Sequence, residues 1–377
     1  MVQTRPSSII SDDYLQLTPV GKEQDQTVFE RHYQHRFPPF EVAAVLKNEN
    51  RILTYLNGCG APYLHTSELN ASDAKTFLRT QCRIPLNELS PLQLSLHQRL
   101  KIAISMARAL CAIHERDVLH LALRPATFMF SADFEHAVLL DFCSARHVPK
   151  NIADLAGFRP VMANAHFLAP EQGYQFSHTL DRRTDLYAFG CVLYWLFSGE
   201  TPFHGLSDDN AIGYAQIAEP LTVDIKPGIS EEPSECVERV STALSAVLSA
   251  LLEKEPSDRY QSCPGMLADL QALLAYKSEQ GDFSIRGQDR SDCLYIPQRL
   301  YGRNVETQSL MQAFQRVAKG TSEVLLISGY SGVGKSALVN EVRLPVLQSN
   351  GLFVTGKFDQ YRGGTPYSAI EQAFSHF

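Results

Sequence analysis

The 377-residue chain has few of the features that mark several protein classes. Its eight cysteines are scattered singly with no C-x-x-C pair, so neither a zinc site nor a disulfide framework is indicated, and reduced thiols in a cytoplasmic protein are expected. No run of Lys and Arg stands out, and the formal net charge of -7 argues against a general nucleic-acid binder. The longest apolar stretch, "LYAFGCVLYWLF" at 186–197, is too short to span a bilayer and suits a buried helix. The opening "MVQTRPSSII" has neither the charged nor the apolar region of an export signal. No internal repeat or low-complexity tract appears. The start also lacks G-x-G-x-x-G: "LQLTPVGKEQDQTVF" holds one glycine, Gly21.

The elements that are present follow an order. Short strand-like runs fill the first 90 residues, with one good helical stretch at 42–56. Apolar residues then recur every three or four positions from Leu96 to His114, the spacing of an amphipathic helix. "TFMF" and "AVLLDF" read as strands. Asp185 is a candidate N-cap for the apolar helix that Gly199 closes, and further helices are expected near 237–253 and 265–277. The polar stretch 277–292 reads as a linker. Beyond it, a helix through Leu310, Phe314 and Val317 precedes a strand, "EVLLIS", a glycine-rich turn and the helix "KSALVNEVRL".

Ordered landmarks then carry a resemblance. "LHLALRPATFMF", "LLDFCSA", "FLAPEQ", the "RRTDLYAFGCVLYWLFSGETPF" helix and "EPSDRYQS" together resemble a bacterial Ser/Thr protein kinase domain. The resemblance implies an α+β two-lobed protein kinase fold, with boundaries at 12–276. It also implies that Glu171, of A-P-E, pairs with Arg259, that Arg31 stands in the strand lysine position, and that Glu49 stands in the helix carboxylate position. The catalytic loop departs from the family: Ala122 replaces the base that takes the substrate proton, and Thr127 replaces the metal-binding Asn. Arg124 keeps a positive charge there. Asp141 remains as a magnesium ligand, with Cys143 in place of the glycine that follows it. Asp133, Glu135 and His136 could be imagined as substitute bases, but a polar hairpin turn fits them better. Four coincident departures point to a degenerate, pseudokinase-like domain.

The second constellation is G-x-x-x-x-G-K-S, at Gly329, Gly334, Lys335 and Ser336, between a strand and a helix. In that context the backbone N–H groups of Ser331, Gly332, Val333, Gly334 and Lys335 surround the β-phosphate of ATP, Lys335 reaches the terminal phosphates, and Ser336 binds magnesium. With its flanks, the loop resembles the start of an AAA-like signalling ATPase module, here a partial α/β P-loop NTPase over 297–377 after a linker at 277–296. In such proteins the module follows a kinase-like domain, often ahead of sensory and histidine kinase domains. A second strand is expected over 351–359. No later strand ends in paired acidic residues, so a truncated or fragmentary ATPase is expected.

Three functions follow as expectations. One is a catalytically impaired kinase-like regulator or nucleotide sensor joined to an ATP-binding module and working with protein partners in signalling. The others are an active Ser/Thr kinase with an atypical loop, and a nucleotide switch through the P-loop alone.

Overall fold

In the computed structural model, the residues described are 10–11, 15–23, 26–33, 40–69, 74–148, 164–173, 180–219, 221–228, 235–276, 283–291, 302–330, 332–349, 351, 353–356, 367, 370 and 373. The chain divides into one unit of residues 1–216 and 221–294 and a second of 217–220 and 295–377.

The first unit begins with five antiparallel strands: β1 (Ile10–Ser11), β2 (Leu15–Glu23), β3 (Gln26–Tyr33), β4 (Tyr63–Leu69) and β5 (Ala74–Thr80). Their order in the sheet is β1-β2-β3-β5-β4. In β3 the side chains alternate, so that Thr27, Phe29 and Arg31 are buried, opposite Thr80, Leu78 and Thr76 of β5. Gly21 lies at the irregularity in the β2–β3 ladder, beyond Pro19. Helix α1 (Phe40–Leu56) buries Leu46, Glu49, Asn50, Leu53 and Leu56, the three- and four-residue spacing of one helical face.

Helix α2 (Leu96–His114) starts in a capping box, in which Ser95 Oγ accepts from the Gln98 N–H and Gln98 Oε1 accepts from the Ser95 N–H. The β6 (Ile84–Pro85), β8 (Phe128–Phe130) and β9 (Ala137–Leu139) ladder lies beside it, and β7 (Val118–Leu119) pairs with β10 (Arg146–His147). The helices α3 (Arg182–Ser198), α4 (Asp209–Ala218), α5 (Glu235–Leu251) and α6 (Cys263–Ala275) follow. One apolar core joins sheet and helices, from Leu17 and Phe29 through Leu53 and Leu110 to Phe189, Leu248 and Leu270. Gly199 ends α3 at φ +78°, a left-handed cap that glycine takes without steric cost.

Three expectations need correction. The N-cap of α3 is Asp181, whose carboxylate accepts from the Arg183 N–H; Asp185 sits inside the helix and turns inward to the backbone of another loop. Part of the expected linker is docked on the first unit. Phe283 and Ile285 pack against its core, and Asp289 accepts from the Gln261 and Ser262 N–H groups, at 2.8 and 2.9 Å, and from the Ser262 hydroxyl. Residues 323–328, expected as a strand, form no ladder among the described residues, and Val324 and Leu326 are more than 90% exposed. With no paired neighbour among the described residues, the segment gains no ladder hydrogen bonds, and periodicity and composition alone do not make a strand.

The second unit holds α7 (Asn304–Val317), α8 (Lys335–Asn340) and α9 (Arg343–Gln348). The expected strand at 351–359 is not formed at 351 or 353–356, and its remainder lies outside the described residues.

Candidate active site

Strand alternation places Arg31 on the inner face of β3, and helical spacing brings Glu49 of α1 to meet it. Arg31 Nε lies 3.3 Å from Glu49 Oε2, with both side chains buried. The sequence alignment of these two positions therefore corresponds to a direct ion pair. The other Glu49 oxygen accepts from the Phe142 N–H at 2.9 Å, which ties α1 to the segment after β9.

The loop after β7 is held by its backbone. Asp185, fully buried in α3, accepts from the N–H groups of His120 and Leu121, each at 2.7 Å, and lies 3.0 Å from His114 Nε2. Leu121 sits at φ +63°, a left-handed conformation costly for a branched side chain, and Gln172 Nε2 donates to its carbonyl. His120 Nε2 bonds the Leu140 carbonyl at 2.9 Å, and burial pushes the imidazole pKa down, so the neutral ring is favoured. Ala122 follows, 5% exposed, with no polar side-chain atom to offer.

Thr127 is spent on its own turn. Its hydroxyl donates to the Arg124 carbonyl at 2.7 Å and accepts from the Arg124 N–H at 3.2 Å. Asp141, in the left-handed region at φ +65°, has both carboxylate oxygens occupied: Oδ1 accepts from Arg31 Nη2 at 2.8 Å and Oδ2 from Arg124 Nη2 at 2.7 Å. Burial alone would raise its pKa, but the two guanidiniums outweigh it and hold the carboxyl far below the usual carboxylate range. Cys143 Sγ lies 3.2 Å from Arg31 Nη2, and burial pushes this thiol well up.

Asp133 accepts from the Glu135 N–H and the Ser131 hydroxyl, closing the exposed β8–β9 turn. That turn lies past Phe130 and Ala137, at the opposite end of the hairpin from Thr127 and Leu140, so these polar residues are not brought to Ala122. Elsewhere, Arg259 forms a two-pronged pair with Glu171, at 2.7 and 2.8 Å, and donates to the carbonyls of Arg183, Glu253 and Lys254.

In the second unit the glycine-rich loop has the conformation its sequence demands. Gly332 and Gly334 lie at φ +80° and +90°, where a Cβ would be strained. α8 starts at Lys335, whose ammonium folds over the loop and donates to the Gly329 and Tyr330 carbonyls at 2.7 and 2.8 Å. The Ser336 side chain is exposed. Val333 is described, whereas Ser331 lies outside the described residues.

Comparison with known families decides the relationship. The protein kinase domain model matches residues 76–269, just over half of the chain. The chain belongs to the protein kinase family. Among curated proteins, this chain is 29% identical over 273 residues to hybrid signal transduction histidine kinase G of Dictyostelium discoideum, covering 66% of this chain and 7% of that protein. It is 29% identical over 245 residues to a probable serine/threonine-protein kinase of Corynebacterium efficiens, covering 65% of this chain and 34% of that one. It is 32% identical over 198 residues to the serine/threonine-protein kinase PknB of Mycobacterium leprae, covering 52% and 29%. The chain thus spans about a third or less of the length of these relatives. Residues 299–377 match the AAA ATPase domain model, which gives the chain a P-loop NTPase-like region at its C-terminal side.

Magnesium, which a kinase domain normally uses, can be tested against the donors present. Glu49, Asp141 and Cys143 place one donor atom each within 4.8 Å of one another. Yet guanidinium groups already hold both Asp141 oxygens, Glu49 is bonded to Arg31 and the Phe142 N–H, and Thr127 has no carbonyl to offer. A divalent cation would share each Asp141 oxygen with a guanidinium and sit against two fixed positive charges. The kinase cleft does not fit the ion. At the P-loop the residues do fit a nucleotide phosphate: glycines that admit close backbone approach, an ammonium over the loop, and an exposed Ser336.

The residue pair that sequence reasoning missed is Arg124 with Asp141, joined across 17 positions. The available signal was compensation. A basic residue kept in a loop that has lost its acid needs another carboxylate, and Asp141 was the one left.

Proposed function

We propose that the kinase unit is a catalytically impaired, regulatory member of its family and that ATP, with magnesium, is bound instead by the P-loop unit. The observation that carries this reading is the occupation of Asp141 by Arg31 and Arg124, which turns a metal ligand into the centre of a buried ion cluster. Ala122 adds to it. An attacking alcohol has no carboxylate to receive its proton, and removing a general base commonly costs ~10²–10⁴ in rate. At the P-loop, backbone N–H groups of Gly332 to Lys335 would hold the phosphates, Lys335 would neutralise the terminal charge, and Ser336 would hold the metal. ATP supplies the phosphoanhydride there.

The proposed role is signalling through protein partners, among them sensor or histidine kinase modules, a reading supported by the Dictyostelium relative's name. A reducing, cytoplasmic setting is supported by six described cysteines that are all unpaired. No helix among the described residues is long and apolar enough to cross a membrane.

A second reading, an active Ser/Thr kinase, draws on the intact Arg31–Glu49 pair and on the names of the bacterial relatives. Radiolabel transfer from ATP to a generic protein substrate separates the two in the full chain. The expected result is incorporation at the background of a no-enzyme control, with Ala122→Asp raising it less than about tenfold because the metal ligands are still engaged. Transfer well above background that survives Lys335→Ala and disappears in Asp141→Asn would establish the active kinase instead.

A further inference from the structure

Residues 283–291, the last described before the second unit begins at Tyr295, are fixed to the first unit at three points. The Phe283 ring stands edge-on to Tyr276, just past α6, at 5.9 Å, and Ile285 packs on the apolar core. Arg286 turns the chain at φ +64°. Its N–H donates to Asp269 of α6 at 2.7 Å, its guanidinium lies over the Tyr260 ring at 5.4 Å, and its Nη2 donates to the Ala250 and Asp258 carbonyls. Asp289 closes the set on the N–H groups of Gln261 and Ser262. Its Oδ1 also accepts from the Ser262 hydroxyl, which in turn accepts from the Gly265 N–H as the cap of α6. Glycine at 265 is what permits this approach: a Cβ there would lie 2.5 Å from the Asp289 Cα.

Arg286 and Asp289 grip the same short stretch, 258–262, and Arg259 sits inside it. Arg259 clasps Glu171, the neighbouring Gln172 donates to the Leu121 carbonyl at 2.8 Å, and Leu121 is the left-handed residue that precedes Ala122. Gln261 joins the stretch to the clasp. Its Nε2 donates to the Arg259 carbonyl at 2.7 Å, and its Oε1 accepts from Arg183, whose own carbonyl accepts from Arg259. The bonded contacts thus run without a gap from Asp289 to the loop at Leu121. We propose that residues 283–291 are a latch: docked, they hold 258–262 in the form that lets Arg259 clasp Glu171, and released, they loosen that clasp and the Leu121 backbone while the rest of the unit stays folded. The side chains of the latch are only half-buried and two of its bonds to backbone N–H groups rest on one carboxylate, so it opens at lower cost than the core. The chain runs on from it into the second unit, and a change there that draws on residue 291 competes directly with docking. The device does not depend on whether the Asp141 cluster transfers phosphate.

The test is amide hydrogen exchange, read by mass spectrometry on the full chain. Gly265→Ala suits it, because alanine is the better helix former and would strengthen α6 if nothing lay against that position. Expulsion of Asp289 should instead speed exchange by about tenfold or more in 258–262, as the loss of bonds to a charged group does. The same variant should speed exchange in 169–172 and 120–121, with β3 and β5 exchanging as in the parent chain. Asp289→Asn keeps one acceptor oxygen and should give the same pattern part-way. Gln288→Ala, at an exposed neighbour, should change nothing. Faster exchange confined to 258–291, or slower exchange in Gly265→Ala, would overturn the latch. Equal loss of protection throughout the first unit in Asp289→Asn would also overturn it, by making the segment part of the core rather than a device that opens.

Discussion

Asp141→Ala should lower the stability of the first unit by about 3–5 kcal/mol, the cost of leaving buried charges without their partner. For a unit of this size that corresponds to a drop of roughly 6–20 °C in melting temperature, read by calorimetry on the full chain. The reason is local. Arg31 is 2% exposed and Arg124 12%, and the alanine variant leaves one guanidinium nitrogen of each facing a methyl group. Were Asp141 only a metal ligand, its removal would relieve an uncompensated buried carboxylate, and stability would hold or rise. The pH dependence has a defined sign. The folded-state pKa of Asp141 is depressed below the unfolded value of ~3.9, so its contribution is fully present above that value and is lost as pH falls toward the folded one. The acid limb of the stability curve should accordingly be shallower in Asp141→Ala than in the parent chain.

Arg259→Ala should be as damaging, again about 3–5 kcal/mol, without touching the cleft. Arg259 is fully buried, with its guanidinium shared between the two Glu171 oxygens and three backbone carbonyls and lying over the Tyr187 ring at 4.8 Å. Its loss orphans the Glu171 carboxylate. Burial would raise the Glu171 pKa, but Arg259 holds it below the ordinary value. In the variant the carboxyl should take up a proton above that value, so the deficit should narrow as the pH is lowered through the ordinary glutamate range. Glu171→Gln should cost less than Arg259→Ala, because an amide oxygen still accepts from the guanidinium. Calorimetry across pH 4–8 reads both effects (~4.3 being the unperturbed glutamate value).

What the sequence made legible were features governed by local spacing or by paired landmarks. The α2 face from Leu96 to His114, the close of α3 at Gly199, and the meeting of Glu171 with Arg259 and of Arg31 with Glu49 all stood in the residues. What escaped depended on long-range choices between equivalent groups. Asp181 and Asp185 are both acidic residues at the start of α3. Which one caps it is decided by the loop backbone at His120 and Leu121, some 65 positions earlier, which claims Asp185. The polar composition of 277–292 suggested a tether, but Asp289 finds two unpaired N–H groups ahead of α6 and holds the segment down. In the same way, Asp141 could have served a metal or an arginine. Only the fold shows that Arg31 from the sheet and Arg124 from the loop converge on it.

The most direct measurement of the central claim is isothermal titration of ATP, with and without magnesium, into the full chain carrying Lys335→Ala, in which the P-loop lacks its ammonium. With Asp141 held by two arginines, no magnesium-dependent binding is predicted in that variant, whereas the parent chain should bind one nucleotide through the P-loop. A single magnesium-requiring site that persists in Lys335→Ala and vanishes in Asp141→Asn would contradict the account.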